Sequence, residues 1–204
     1  MKLHIIRHGE TIWHEENKYA GHTDIGLTNL GHMQAKTLAT WAIEINPDAI
    51  YSSDLTRAID TAKPSALALG LEIIVDSRFR EVNFGQIEGL TPIEMELQFH
   101  ELRQEFLVRP ADTLMPDGES GRSALRRALP AIEEILSGTN NDVMLFSHGT
   151  LMRLIVCQLL GIEINEYRRM FPNVPNTGRI SLSVNSSEVG ISGVRSMGLL
   201  AFER

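Results

Sequence analysis

Short apolar or β-branched runs alternate with longer helical patterns along this chain, and few architectures accept that order. A run too short for a helix is a buried strand, and the helix after it crosses back over the sheet. The product is a series of βαβ units around a mainly parallel sheet, the α/β class. "KLHII" reads as the first strand. "LTNLGHMQAKTLATWAIE" reads as a helix capped by Thr28, with Leu30, Met33, Leu38 and Trp41 at helical spacing. "DAIYSS" gives a second strand and leads into "DLTRAIDTAKPSALALG", a helix expected to open on Ser53 or Asp54, to kink or break at Pro64 and to close at Gly70. "EIIVDS" and "DVMLFS" read as the third and fourth strands, "TLMRLIVCQLLG" as the helix after the fourth, and "GRISLSV" with "GVRSMGLL" as late strands near an edge. Residues 82 to 122 fit the alternation worst. They are richer in Pro, Gly and Glu, hold one helical pattern ("PIEMELQFHELRQEFL"), and are expected to form a small cap excursion over one end of the sheet. No repeat or linker divides the 204 residues, so residues 1 to 204 are expected to be one domain.

Two of these strands end alike, on Arg7-His8-Gly9 and on Ser147-His148-Gly149. In an open parallel sheet, ligands bind beyond the carboxyl ends of the strands. Arg57, in the first turn of the helix after the second strand, belongs to the same edge. Glycine after each histidine permits a sharp exit and is expected to leave backbone N–H groups open to an anion at a helix start. Two arginines, two histidines and open N–H groups make a concentrated positive pocket, and the ligand it suits is a phosphate.

The chain as a whole is acidic, with a formal net charge of −7. That charge argues against a nucleic acid or an anionic membrane as partner and leaves anion binding to a few placed arginines. The single cysteine, Cys157, lies in an apolar stretch and reads as a packed thiol. "LHII" is too short for a leader's apolar core, and the longest apolar segment, near 151 to 162, contains Arg153 and Gln158. A cytoplasmic protein is the expectation.

Seven histidines raise the possibility of a metal site, but there is no His-x-His, no His-Glu-x-x-His and no cysteine pair, and Arg7 beside His8 repels a cation. No metal and no cofactor are expected. His4 reads as a strand face residue, and His22, His32 and His100 lack the strand-end placement. Trp13 and Trp41 are assigned to packing, as are the apolar positions from 95 to 107.

"RHGET" after the first strand, "SSDLTRAIDTA", "REVNFGQIEG", "PDGES" and "SHG" follow one another in order. Together they resemble the histidine phosphatase superfamily, in the branch shared by cofactor-dependent phosphoglycerate mutases and their phosphatase relatives. The resemblance spans nearly the whole chain. It implies a three-layer α/β/α sandwich with a small cap, His8 as the phosphorylated nucleophile, Arg7, Arg57 and His148 as phosphate ligands, and Glu81 as the proton donor. It extends phosphate binding to Gly149, to Gly21 and to His14, which stands where many relatives have a phosphate-contacting Asn. On the residues alone, an ion pair of Glu81 with Arg80 or Arg78 is the simpler reading, and Glu10 and Glu88 compete for the role of acid.

The chemistry fits that set. The arginines and His148 offset charge on the phosphoryl oxygens while neutral His8 attacks in line, and Glu81 protonates the leaving oxygen if it carries a proton when substrate is bound. Three departures weaken grip on a phosphoglycerate. Ala20 replaces the mutases' hydroxyl residue, Val82 replaces their arginine, and only the separated Arg103 and Arg109 stand in the cap. The expected function is therefore a metal-independent phosphomonoester hydrolase working through a phosphohistidine. A phosphoglycerate mutase is the alternative within the family, and a non-catalytic phospholigand-binding domain the alternative from another class. The expected partner is a small phosphorylated metabolite, selected by cap side chains, with a homodimer left open.

Overall fold

The computed structural model describes residues 1–186 and 194–203. Gly193, expected to begin the last strand, lies outside them. The chain runs β1 (Lys2–Arg7), α1 (Ile12–Glu15), α2 (Asn29–Ile45), β2 (Ala49–Ser52), α3 (Thr56–Leu69), β3 (Ile73–Val75), α4 (Pro92–Gln98), α5 (His100–Val108), α6 (Gly121–Ser137), β4 (Asp142–Ser147), α7 (Gly149–Leu160), α8 (Tyr167–Met170), β5 (Arg179–Ser186) and β6 (Val194–Glu203). Short 3-10 turns stand at Ser77–Phe79, Gly85–Ile87 and Ile164–Glu166.

The six strands form one sheet in the order β3-β2-β4-β1-β5-β6. β3, β2, β4 and β1 are parallel, while β5 and β6 extend the sheet antiparallel at the β1 side. Both faces are covered, and for that reason β1 and β4 read as continuous apolar runs. On one face Ile6, Ile50, Met144 and Phe146 pack with Leu38 and Ala42 of α2 and with Ala62 and Ala66 of α3. On the other, Leu3, Ile5, Val143 and Leu145 pack with Ala128 and Ile132 of α6 and with Leu151 and Ile155 of α7. These are the three layers of an α/β/α sandwich.

β1 leads to α2 on one face, and its neighbour β4 leads to α7 on the other. Neighbouring parallel strands whose connections depart to opposite faces leave a crevice at their carboxyl ends, and the candidate site lies in it.

Several local expectations change. The N-cap of α3 is Leu55, because Asp54 is drawn into a two-bond pair with Arg80 and Ser53 Oγ accepts instead from the Leu55 N–H at 3.3 Å. α3 runs unbroken through Pro64, held on both sides of it by packing of Ala62 and Ala66 against the sheet. It closes on Gly70 at φ 67°, where a side chain would be strained. The expected single helix over 92 to 107 is two, because the backbone turns at Phe99 (φ −135°, ψ 49°) so that both Met95 and Phe106 enter the main core. The 82–122 excursion thus has no core of its own. His4, a face residue of β1, is buried, bonded to Ser181 Oγ at 2.7 Å and Asp142 Oδ1 at 2.6 Å, with Trp41 edge-on against it. Cys157 is buried in α7, where burial pushes its thiol up to about 11. No helix among the described residues is long and apolar enough to cross a membrane.

Candidate active site

Parallel pairing places Arg7 opposite Ser147, so the next residues of each strand, His8 and His148, leave the sheet side by side. Their ring centroids are 5.2 Å apart. His8 Nδ1 lies 2.7 Å from its neighbour's carbonyl oxygen at Gly9. A carbonyl only accepts, so Nδ1 carries the hydrogen and Nε2 carries the lone pair. Burial, then the charges of Arg57 and Arg7, hold the His8 pKa well below its ordinary 6.5, so the ring is neutral. The same causes lower His148, whose two ring nitrogens are buried without a hydrogen-bond partner.

Arg7 and Arg57 supply the positive charge, and burial lowers each to about 10, which leaves both protonated at neutral pH. Arg7 donates Nη1 to the Val174 carbonyl at 2.6 Å. Arg57 is fully buried and donates Nη1 to the Thr23 carbonyl at 2.9 Å and Nη2 to the Gly21 carbonyl at 2.6 Å. The Nε of each arginine is buried and unpartnered. Buried polar groups are almost always satisfied in folded proteins, so these four nitrogens beside His8, three of them donors while His148 is neutral, define a place for an acceptor-rich ligand. A phosphate offers that many oxygens.

The loop that braces Arg57 is itself clamped. Glu88 accepts from the N–H groups of His22, Thr23 and Phe84 and from the Thr23 hydroxyl. A Cβ on Gly21 would stand 2.1 Å from a Glu88 oxygen, so only glycine fits. Gly21 therefore serves the site by holding Arg57 and does not line the cavity. Glu88 and Glu10, which accepts from the Thr28 hydroxyl at 2.8 Å, are both spent on structure.

Glu81 pairs with neither Arg80 nor Arg78, which engage Asp54 and the Asp76–Glu134 pair. Its carboxylate accepts from the N–H groups of Thr150 at 2.8 Å and of Leu151 and Val82 at 2.9 Å. It thus caps the first turn of α7. Of the N–H groups expected to be open after the two histidines, those of Thr150 and Leu151 are therefore taken by Glu81, and that of Gly9 is taken by Thr61 Oγ1 at 2.9 Å. Gly149 also provides room: a Cβ there would stand 3.2 Å from Arg7 Nε.

His14 meets His8 at 5.4 Å between ring centroids and accepts at Nε2 from Arg7 Nη2, with its pKa lowered to about 4 by burial and by Arg7. A neutral ring accepting at Nε2 positions Arg7.

A cavity of about 290 Å³ opens above His8. Only Phe84 of the 82–122 excursion reaches it. The walls come from Trp13, His14 and residues 17 to 20, from Glu81, from the start of α7 and from Arg168, Pro172, Asn173 and Val174. Trp13, assigned to packing, is one of those wall residues. Sequence reading also missed Arg153 and Arg168, whose signal was a cation inside or beside an apolar run, and Arg127, which donates to the backbone carbonyls of Arg78, Arg80 and Glu81 and to Glu119 of the "PDGES" segment. Among the described residues no group of three His, Cys, Asp or Glu side chains is arranged to hold a metal ion.

Residues 3–195 match the sequence profile of the histidine phosphatase superfamily, branch 1. The chain belongs to that superfamily. Over 163 residues, 80% of either chain, it is 32% identical to a protein of Hydrogenobacter thermophilus named for phosphoserine phosphatase activity. Over 171 residues, 83% of this chain and 80% of the other, it is 34% identical to a protein of Escherichia coli O1:K1 named for phosphoglycerate mutase activity. The solved structure of a mycobacterial glucosyl-3-phosphoglycerate phosphatase, 26% identical, covers 99% of this chain and 98% of its own with a TM-score of 0.88. Superfamily membership and these neighbours make the protein a phosphatase or mutase enzyme.

Proposed function

We propose that this superfamily member hydrolyses a small phosphomonoester by double displacement through His8, with no metal ion. One observation carries the reading: a neutral imidazole fixed with its Nε2 lone pair free stands among the buried, unpartnered nitrogens of Arg7, Arg57 and His148. In the first step Nε2 forms a bond to phosphorus while the bond to the leaving oxygen breaks. Arg7, Arg57 and His148 stabilise charge on the equatorial oxygens, a task for which no metal ion is needed. The leaving alkoxide takes a proton through Glu81. The substrate brings that proton itself, as phosphomonoesters do near their second ionisation at about pH 6, and Glu81, whose oxygens accept from three N–H groups, relays it. In the second step Glu81 accepts a proton from water, the water oxygen attacks phosphorus, and the nitrogen–phosphorus bond breaks to release inorganic phosphate.

Similarity to a mutase-named protein keeps transfer as the second reading. Hydrolysis is favoured because Val82, in place of the mutase arginine, is buried in the core, and Ala20 brings no hydroxyl to the cavity wall. A panel of phosphorylated sugars, glycerates, nucleotides and amino acids tests the reading, together with 3-phosphoglycerate primed with a trace of 2,3-bisphosphoglycerate. Release of inorganic phosphate is expected. Isomerisation with negligible phosphate release assigns the protein to the mutases.

A further inference from the structure

The lone pair that makes His8 a nucleophile depends on one carbonyl. A neutral imidazole carries its hydrogen on either ring nitrogen, and the nitrogen that finds an acceptor keeps it. Gly9 supplies that acceptor to Nδ1 at 2.7 Å. Gly9 has to be glycine, because a Cβ there would stand 2.8 Å from the Gly31 carbonyl oxygen of α2. A glycine linkage turns more freely than any other, so the direction of its carbonyl has to be fixed by its surroundings. Two side chains do this, one on each side of Gly9. Thr61 Oγ1, fully buried in α3, accepts from the Gly9 N–H at 2.9 Å. Its own hydrogen goes to the Arg57 carbonyl one turn earlier in the helix at 2.6 Å, so only lone pairs face Gly9. Gln34 Oε1 of α2 accepts at 2.9 Å from the Glu10 N–H, which belongs to the same peptide unit as the Gly9 carbonyl.

We infer that Thr61 and Gln34 are positioning residues for the nucleophile: by clamping the two peptide units that meet at Gly9, they hold the hydrogen of His8 on Nδ1 and keep Nε2 bare. The inference rests on the reading of His8 as the attacking group. Neither side chain lines the cavity, so each acts on phosphorus only through other residues. A trans peptide directs its N–H and its C=O to opposite sides, so the hold of Gln34 on the Glu10 N–H aims the Gly9 carbonyl away from α2 and onto the ring. Thr61 fixes the preceding peptide unit, and through the Arg57 carbonyl it joins the strand-end loop to the helix that carries the second arginine. Where either hold is lost, the Gly9 carbonyl can turn from Nδ1, and the hydrogen is free to move to Nε2, where it blocks attack.

Nitrogen-15 NMR of the histidine rings reads the tautomer without substrate, the His8 signals being assigned by their loss in His8→Ala. At neutral pH the wild-type protein is expected to carry the His8 hydrogen on Nδ1 alone. Thr61→Val keeps the shape and removes the hydroxyl, and Gln34→Met removes the amide at a half-buried position. Each should give a mixture of tautomers and lower kcat/KM for an aryl phosphate about tenfold, the scale of one buried hydrogen bond. Thr61→Ser, which restores the hydroxyl, should return both to wild type. If Thr61→Val does not fold, Gln34→Met decides alone. An Nε2–H ring in the wild type, an unchanged Nδ1–H ring in the folded variants, or mixed tautomers with undiminished kcat/KM would overturn the inference. Mixed tautomers in the variants of a protein that hydrolyses no phosphomonoester would uphold the clamp on His8 and sink the hydrolase reading alone.

Discussion

The Glu81 carboxylate spans the first turn of α7, with one oxygen on the Thr150 N–H at 2.8 Å and the other on the Leu151 N–H at 2.9 Å. The same side chain lines the cavity above His8. It is at once a helix cap and the nearest carboxylate to the expected leaving oxygen, so replacing it should be felt in both stability and chemistry.

Glu81→Gln keeps an acceptor oxygen but turns an NH2 group toward at least one of the three backbone donors. Stability should fall by about 1 kcal/mol, the usual cost of a damaged cap. Activity should fall most for alkyl phosphates, whose leaving oxygen needs a proton, and least for an activated aryl phosphate. Thermal unfolding together with kcat/KM on both substrate types measures this. An equal loss on the two types would remove Glu81 from proton transfer.

Much of this was legible in sequence. The strand-end positions of His8 and His148 follow from where two apolar runs stop, and parallel register makes them neighbours. The partners of those residues were less legible. Whether Asp54 caps α3 or pairs with Arg80, and whether Glu81 pairs with arginine or caps α7, depends on loops brought together from distant parts of the chain. The cavity wall was misplaced for the same reason. The segments around Trp13 and Arg168 look like packing or surface residues until the chain folds, whereas the Pro- and Gly-rich 82–122 excursion stands out in sequence yet mostly packs into the core.

His14→Asn should bind inorganic phosphate more tightly. His14 Nε2 accepts from Arg7 and offers nothing to an anion, whereas an Asn amide can accept from Arg7 and donate an N–H to phosphate. A gain of a few-fold is expected in competitive inhibition by phosphate, on the scale of one net hydrogen bond of about 1 kcal/mol. Weaker inhibition would show that the imidazole itself contacts the anion.

The pH dependence of kcat/KM in the free enzyme should carry no acid limb near 6.5. Neutral His8 is the nucleophile, and because burial and Arg57 hold its pKa well below the ordinary value, lowering the pH through 6.5 leaves it neutral. His14, at about 4, likewise stays neutral in that range. Activity lost to histidine protonation should appear only far below 6.5, and since protonation of the substrate dianion supplies the leaving-group proton, rates should hold or rise from neutral pH toward about 6. A histidine-like fall centred near 6.5 would mean that His8 titrates freely.

Double displacement requires phosphorus to pass through His8 Nε2. The direct measurement is to quench the enzyme in alkali during turnover of a phosphorylated substrate and to map the phosphorylated residue and ring nitrogen by mass spectrometry and phosphorus NMR. An alkali-stable, acid-labile phosphoryl group is expected on Nε2 of His8, absent from His8→Ala, which should also be inactive. A phosphoryl group on another residue, or undiminished turnover by His8→Ala, would contradict it.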